Sequence, residues 1–142
     1  LAVARQEPYK RIDVVVRAIA LLPPRGSDVR LGGVGEGAAL GAHRELAEGL
    51  GVLDVVTFTG AVDEQALTEL WTSATMYVSA SEQEAFGIGL AEALMSGLPV
   101  VASNIPAHRE VVRQAGPAAA AREAPRPGPA ARPPAPPRRP GG

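Results

Sequence analysis

No cysteine occurs among the 142 residues, which excludes a disulfide framework, a thiolate metal site and a cysteine nucleophile. Neither sign of charge dominates. The formal net charge is −1, so nothing electrostatic points to nucleic acid as the main partner. No apolar run approaches the roughly 20 residues needed to span a bilayer, and the first residues do not form a signal peptide. An Asp-x-Asp pair, a G-x-S-x-G elbow and a P-loop are all missing, which argues against a divalent-metal transferase, a serine hydrolase and a nucleotide triphosphatase. His43 and His108 are 65 positions apart, without metal-ligand spacing. No metal or other cofactor is expected.

Large apolar side chains are missing from the last 29 residues, which hold no Val, Leu, Ile, Met or aromatic residue. Gln114 to Gly142 consist of nine Ala, nine Pro, five Arg, four Gly, one Gln and one Glu, and such a segment has almost nothing to bury. The chain therefore divides into a domain over 1–113 and a tail over 114–142, expected to be disordered with polyproline II character. Charge divides at the same place, with a net of +4 in the tail and −5 before it.

Within residues 1–113, short apolar runs alternate with helical periodicity. Leu1–Ala4, Val29–Val34, Val55–Phe58, Met76–Val78 and Pro99–Ala102 read as strands. Ile12, Val15, Val16, Ile19 and Leu22 recur at helical spacing and stop at Pro23-Pro24. Further helices are expected over Ala39–Leu50, from an Asp63 N-cap through Trp71, over Gly87–Met95 and over Pro106–Arg113. Strands with little polar alternation are those covered by helices on both faces. The repeated strand-helix unit predicts an α/β domain with a doubly wound parallel sheet. Ligands of such folds bind beyond the carboxyl ends of the strands.

In that position lies the segment from Ser81 to Leu94. Glu84 is expected in the loop before a helix and Glu92 in the helix's second turn. Between them the N–H groups of Gly87, Ile88 and Gly89 lack intrahelical partners, and a helix N-terminus favours phosphate. Flanking carboxylates could accept hydrogen bonds from sugar hydroxyls. Gly33-Val34-Gly35-Glu36-Gly37-Ala38 loosely matches a dinucleotide fingerprint. The next strand, however, ends in Thr57-Phe58-Thr59-Gly60 without the ribose-binding carboxylate that the fingerprint requires.

Glu84-Ala85-Phe86-Gly87 through Glu92-Ala93-Leu94, followed by Gly97-Leu98-Pro99-Val100-Val101-Ala102-Ser103, resembles the retaining GT-B glycosyltransferases of the glycosyl transferases group 1 type. Ala4 to Arg11 is similar to their Arg/Lys phosphate segment, Val34-Gly35-Glu36-Gly37 to their second-strand loop, and Phe58 to Val62 to their base-side loop. The resemblance implies the C-terminal, Rossmann-like donor-binding half of a GT-B fold. It places Arg5 and Lys10 on the diphosphate of a nucleotide-sugar donor, Glu84 on hydroxyls of the sugar and Glu92 on the ribose. It also places Gly35, Phe86, Gly87, Ile88 and Gly89 at the donor, with Val62 beside the base.

The implied reaction is retaining transfer of a hexose to a hydroxyl, in the cytoplasm or, for the full-length enzyme, at the inner face of the membrane. The resemblance also implies an acceptor-binding N-terminal domain before Leu1, so this chain reads as a fragment, inactive alone. The alternative is a catalytically inactive truncated domain or a proline-rich interaction module. Four further expectations remain. His43 reads as a solvated helix flank. His108 reads as a structural or surface group beside the site, and Trp71 and Tyr77 read as packing residues. Gly32-Gly33, central in the second strand, are expected to lose packing and about 1 kcal/mol each.

Overall fold

The computed structural model describes residues 1–23 and 29–116, together with the backbone of 121–124. Strands and helices alternate along the chain. β1 (Ala2–Val3) leads through a 3-10 turn (Pro8–Lys10) into α1 (Ile12–Ala20), followed by β2 (Leu31–Val34), α2 (Leu40–Gly49) and β3 (Val56–Gly60). The second half contains α3 (Glu64–Ser73), β4 (Tyr77–Ser79), α4 (Ile88–Met95), β5 (Val100–Ser103), α5 (Pro106–Ala115) and β6 (Ala121–Ala124).

Every paired strand is parallel. β1-β2-β3 form one ladder and β4-β5-β6 another. The two meet where the Val78 N–H donates to the Leu1 carbonyl at 2.9 Å. The spatial order is therefore β3-β2-β1-β4-β5-β6, with the direction of winding reversing between β1 and β4. That reversal opens a crevice at the strands' carboxyl ends, where doubly wound folds bind ligands.

Both sheet faces are covered, and the alternation of side chains along each strand divides them. Ala2 packs with Ile12, Val15 and Val16 of α1, Ala47 of α2, Leu31 and Val56. Its neighbour Val3 points the other way, toward Tyr77, Leu90 and Ala93 of α4, Val100 and Val111 of α5. Ile12, Val16 and Leu90 are almost completely buried, each stabilising the fold by about 1.5–3 kcal/mol relative to exposure. α3 has no buried residue. Its Asp63 carboxylate accepts from the Ala66 N–H at 2.8 Å, and its Trp71 ring lies 5.6 Å from that of Tyr77.

Two features differ from expectation. The packing loss expected at Gly33 is absent, because a Cβ there would lie 2.8 Å from the Phe58 ring, which fills that space. The domain also continues past residue 113. α5 runs to Ala115, and β6 pairs with β5 from Val100↔Ala121 to Ser103↔Ala124. Strand pairing is made by backbone groups, so Ala-Arg-Glu-Ala can extend a parallel ladder without a large apolar residue. Residues 117–120 and 125–142, the rest of the segment expected to be a disordered tail, lie outside the described residues.

Candidate functional site

The crevice between β1 and β4 holds a cleft of about 430 Å³. The turn after β1 forms one wall, and the β4–α4 loop with the first turns of α4 forms the opposite one. All ten residues singled out from the sequence line this cleft, although they come from segments spread over more than eighty positions.

α4 begins at Gly87, whose backbone is left-handed with φ +80° and which caps the helix without a side chain. A Cβ-bearing residue would be strained there. Ala91 is the first α4 residue whose N–H reaches back along the helix, to the Gly87 carbonyl at 3.1 Å. The earlier N–H groups, including those of Ile88 and Gly89, point out of the helix end beside exposed Phe86 and Ile88. Gly89 serves packing as well, since a Cβ on it would lie 2.6 Å from Tyr77 Oη and 2.9 Å from the Val3 carbonyl. Its absence lets α4 settle onto β1 and β4. Gly35 has φ +122°, and a Cβ there would meet the Ala4 carbonyl at 2.1 Å. Its N–H donates to the Gly60 carbonyl at 2.8 Å, so Gly35 shapes the cleft by letting two loops touch and offers no N–H to a ligand.

The charges in the cleft are arranged asymmetrically. Lys10 Nζ donates to both carboxylate oxygens of Glu84 at 2.7 Å, with the two side chains only 13% and 15% exposed. Arg5 is 78% exposed and reaches Glu7 at 3.3 Å, a contact worth little in solvent. Glu92 is half-buried and Val62 lies across the cleft.

Lys10 and Glu84 meet because their loops are tied together. The Glu82 N–H donates to the Tyr9 carbonyl at 2.8 Å, Arg11 donates to Glu82 and Asp13, and the buried Ser81 hydroxyl donates to the Gln83 carbonyl at 2.8 Å.

The wall after β1 is anchored by Gln6, which is completely buried. Its N–H donates to the Glu36 carbonyl and its own carbonyl accepts from Ala39, both at 2.8 Å. Its side-chain oxygen lies 2.9 Å from His43 Nδ1. His43 is therefore buried rather than solvated, which corrects the expectation. The face of α2 that carries His43 and Ala47 turns inward, and the imidazole stacks near Phe58.

Sequence reasoning missed this pair because Gln6 and His43 are polar. The spacing of His43 and Ala47 on one helix face was the available signal. Burial pushes the His43 imidazole below its usual range, with Asp13 opposing. A base whose folded pKa is lowered stabilises the fold above its unfolded value, and loses that contribution as pH falls through the window between the two. His108 shifts in the same direction. The melting temperature is accordingly expected to fall by several degrees between about pH 7.5 and about pH 5. A melting temperature that held or rose across that range would show that neither ring is shielded.

His108, on the first turn of α5, lines the cleft and is buried. Its Nδ1 lies 3.0 Å from the Ser103 carbonyl and 3.2 Å from the Ser103 hydroxyl, which itself donates to the Ser81 carbonyl. Burial lowers its pKa most, the Ser103 carbonyl and Glu84 act to raise it, and Lys10 acts to lower it. Tyr77 forms part of the floor, and burial pushes its phenol up, so that it is neutral.

Among the described residues no group of three or more His, Asp and Glu could hold a metal ion, and no helix is long and apolar enough to cross a membrane. The cleft thus combines an uncapped helix N-terminus, two cations and two carboxylates. The first two suit an anion, and the carboxylates suit hydroxyl groups.

Comparison with known proteins bears on the family and the fold. A family model described as "Glycosyl transferases group 1" matches residues 1–123. The chain is 38% identical over 114 residues to D-inositol 3-phosphate glycosyltransferase 2 of Catenulispora acidiphila, covering 74% of this chain and 27% of that protein. It thus spans about a quarter of that relative's length. Among solved structures, WaaG, a glycosyltransferase involved in lipopolysaccharide biosynthesis, superposes with a TM-score of 0.75 at 26% identity, over 89% of this chain and 33% of its own. The pneumococcal O-GlcNAc transferase GtfA, solved with UDP and GlcNAc, superposes with a TM-score of 0.68 at 26% identity, over 74% of this chain and 20% of its own.

Proposed function

The chain belongs to the glycosyl transferases group 1 family, and from that premise we propose that it binds the nucleotide-diphosphate sugar donor of a retaining hexosyltransferase. One observation carries the reading. The uncapped start of α4, Lys10 and the two carboxylates with seven residues between them converge in one cleft at the β1/β4 reversal.

In this reading the donor's diphosphate sits on the first N–H groups of α4, beside Gly87 and Ile88. Lys10 and Arg5 meet its charge, and no divalent cation is called for. That positive field stabilises the diphosphate as the bond from the sugar's anomeric carbon to phosphate breaks. Glu92 accepts from the ribose hydroxyls, Glu84 from hydroxyls of the sugar, and Val62 lies against the base.

The acceptor oxygen bonds to the anomeric carbon on the face the phosphate leaves. The leaving phosphate takes up the acceptor's proton, and the anomeric configuration is retained. Transfer requires groups aligned from both sides of the donor, and we assign to this chain the donor side alone. The solved relative that carries UDP and GlcNAc supports this kind of donor.

Calorimetric titration with UDP-, GDP- and ADP-glucose tests the reading. Heat of binding is expected for one of them at up to millimolar concentration, and no heat for any would overturn it.

A further inference from the structure

His108 has a polar atom that the fold itself does not use. The Ser103 carbonyl can only accept, so the His108 Nδ1 that lies 3.0 Å from it carries the hydrogen. In the neutral ring the lone pair then resides on Nε2. Among the described residues every fully buried side-chain polar atom has a hydrogen-bond partner. Nε2 has none among the described residues, so it is the atom through which this ring, only 2% exposed, reaches the cleft.

The ring edge bearing Nε2 faces the start of α4. A Cβ on Gly87 would lie 3.4 Å from His108 Cδ2 and 3.9 Å from Nε2. The missing side chain leaves the space between the imidazole and the first α4 N–H groups open. An anion on those N–H groups would confront a lone pair if the ring were neutral, and a donor hydrogen if it were protonated.

Resting on the reading that the donor's diphosphate occupies the α4 N-terminus, we infer that His108 is a further ligand of that diphosphate and that its Nε2 gains a proton as the donor binds. The proton comes from solvent and returns there on release. The groups that act on the ring come from three elements. Ser103 at the end of β5 and Glu84 from the β4–α4 loop favour the imidazolium, and Lys10 from the turn after β1 opposes it. Burial keeps the ring neutral near neutral pH, so the arriving anion is what shifts the balance. Affinity therefore rises as pH falls, over the window between the lowered pKa of the unbound ring and its higher value with donor bound.

UDP-, GDP- and ADP-glucose are suitable probes because their diphosphate is a diester with no proton that titrates near neutrality. Binding of whichever is recognised is expected to be about threefold tighter at about pH 6 than at about pH 8, since a one-unit rise from a lowered midpoint gives its full tenfold only below both values, and to take up protons from the buffer. His108→Gln is expected to show the weaker, high-pH affinity at both values. Because that substitution alters a buried position, NMR titration of the two imidazoles in the unaltered chain provides an independent readout. Saturation with the nucleotide sugar is expected to raise the midpoint of His108 by about one pH unit and to leave that of His43 in place. An affinity independent of pH, or a His108 midpoint that does not rise, overturns the inference and leaves donor binding standing. Failure of all three probes to bind at either pH overturns both.

Discussion

Glu92→Ala is expected to weaken binding of the bare nucleoside diphosphate by roughly a hundredfold, whereas Glu84→Gln is expected to leave it bound at least as tightly. The two carboxylates lie in one cleft and have different partners. Glu92 is half-buried on α4, no cation among the described residues is bonded to it, and the ribose hydroxyls are its assigned donors. Hydrogen bonds to a charged group are worth about 1.5–3 kcal/mol, and losing those to the ribose accounts for the hundredfold figure.

Glu84 instead holds Lys10 through both oxygens at 2.7 Å. Neutralising it releases the cation toward phosphate and removes a nearby negative charge. What Glu84→Gln forfeits is the preference for nucleotide sugar over nucleotide. Calorimetry with both ligands on both variants decides the matter, and equal losses for the bare nucleotide would contradict the assigned roles.

Gly89→Ala is expected to lower the melting temperature by roughly 5–15 °C, for an overpacking cost of about 1–3 kcal/mol in a domain of this size. Helix propensity alone points the other way, since alanine is favoured over glycine by about 0.8–1.0 kcal/mol in a helix interior. The sign therefore reports on packing. The added methyl would lie 2.6 Å from Tyr77 Oη and 2.9 Å from the Val3 carbonyl, so α4 would have to lift from β1 and β4.

Tyr77→Phe in the same chain removes the first of these atoms and leaves the second, and is expected to recover part of the loss. In the parent chain it costs little, because its hydroxyl reaches the Val3 carbonyl at only 3.4 Å. Circular dichroism melts of the four chains measure the coupling. A rise in melting temperature for Gly89→Ala would mean that the helix does not pack this closely.

The alternation of helices and parallel strands is legible because the strands read as short apolar runs between turn signals, and the helices repeat their apolar residues at the right interval. The edge strand β3, with Thr57 and Thr59 exposed, is the least buried of those whose side chains are described. Strand order is not legible, since it depends on which ladders meet. It becomes clear only from the contact of Val78 with Leu1. β6 is hidden for another reason: Ala121–Ala124 joins its neighbour through backbone pairing, and its sequence carries no large apolar residue to announce a strand.

At the site, the spacing of Glu84 and Glu92 and the glycines between them mark the helix start. His108 is legible as a group beside the site, but the burial of Gln6, His43 and His108 is not, because it depends on polar partners. For Gln6 and His43 those partners are 37 positions apart, and no periodicity announces such a match. Gly35 marks the opposite case, a residue visible in the sequence whose N–H is already engaged by Gly60.

The contact between Lys10 and Glu84 has a consequence for discrimination among the many small metabolites of a cell. Inorganic phosphate could draw the ammonium away but would strand a shielded carboxylate, and a free sugar could engage the carboxylate but would strand the ammonium. Either exchange leaves one shielded charge unmatched, which is costly. Only a molecule that presents phosphate and hydroxyls together, at the right separation, compensates both partners at once. On the proposed donor reading, the pair thus acts as a coincidence requirement, turning two individually weak recognitions into one conjunctive test that common anions and common sugars each fail.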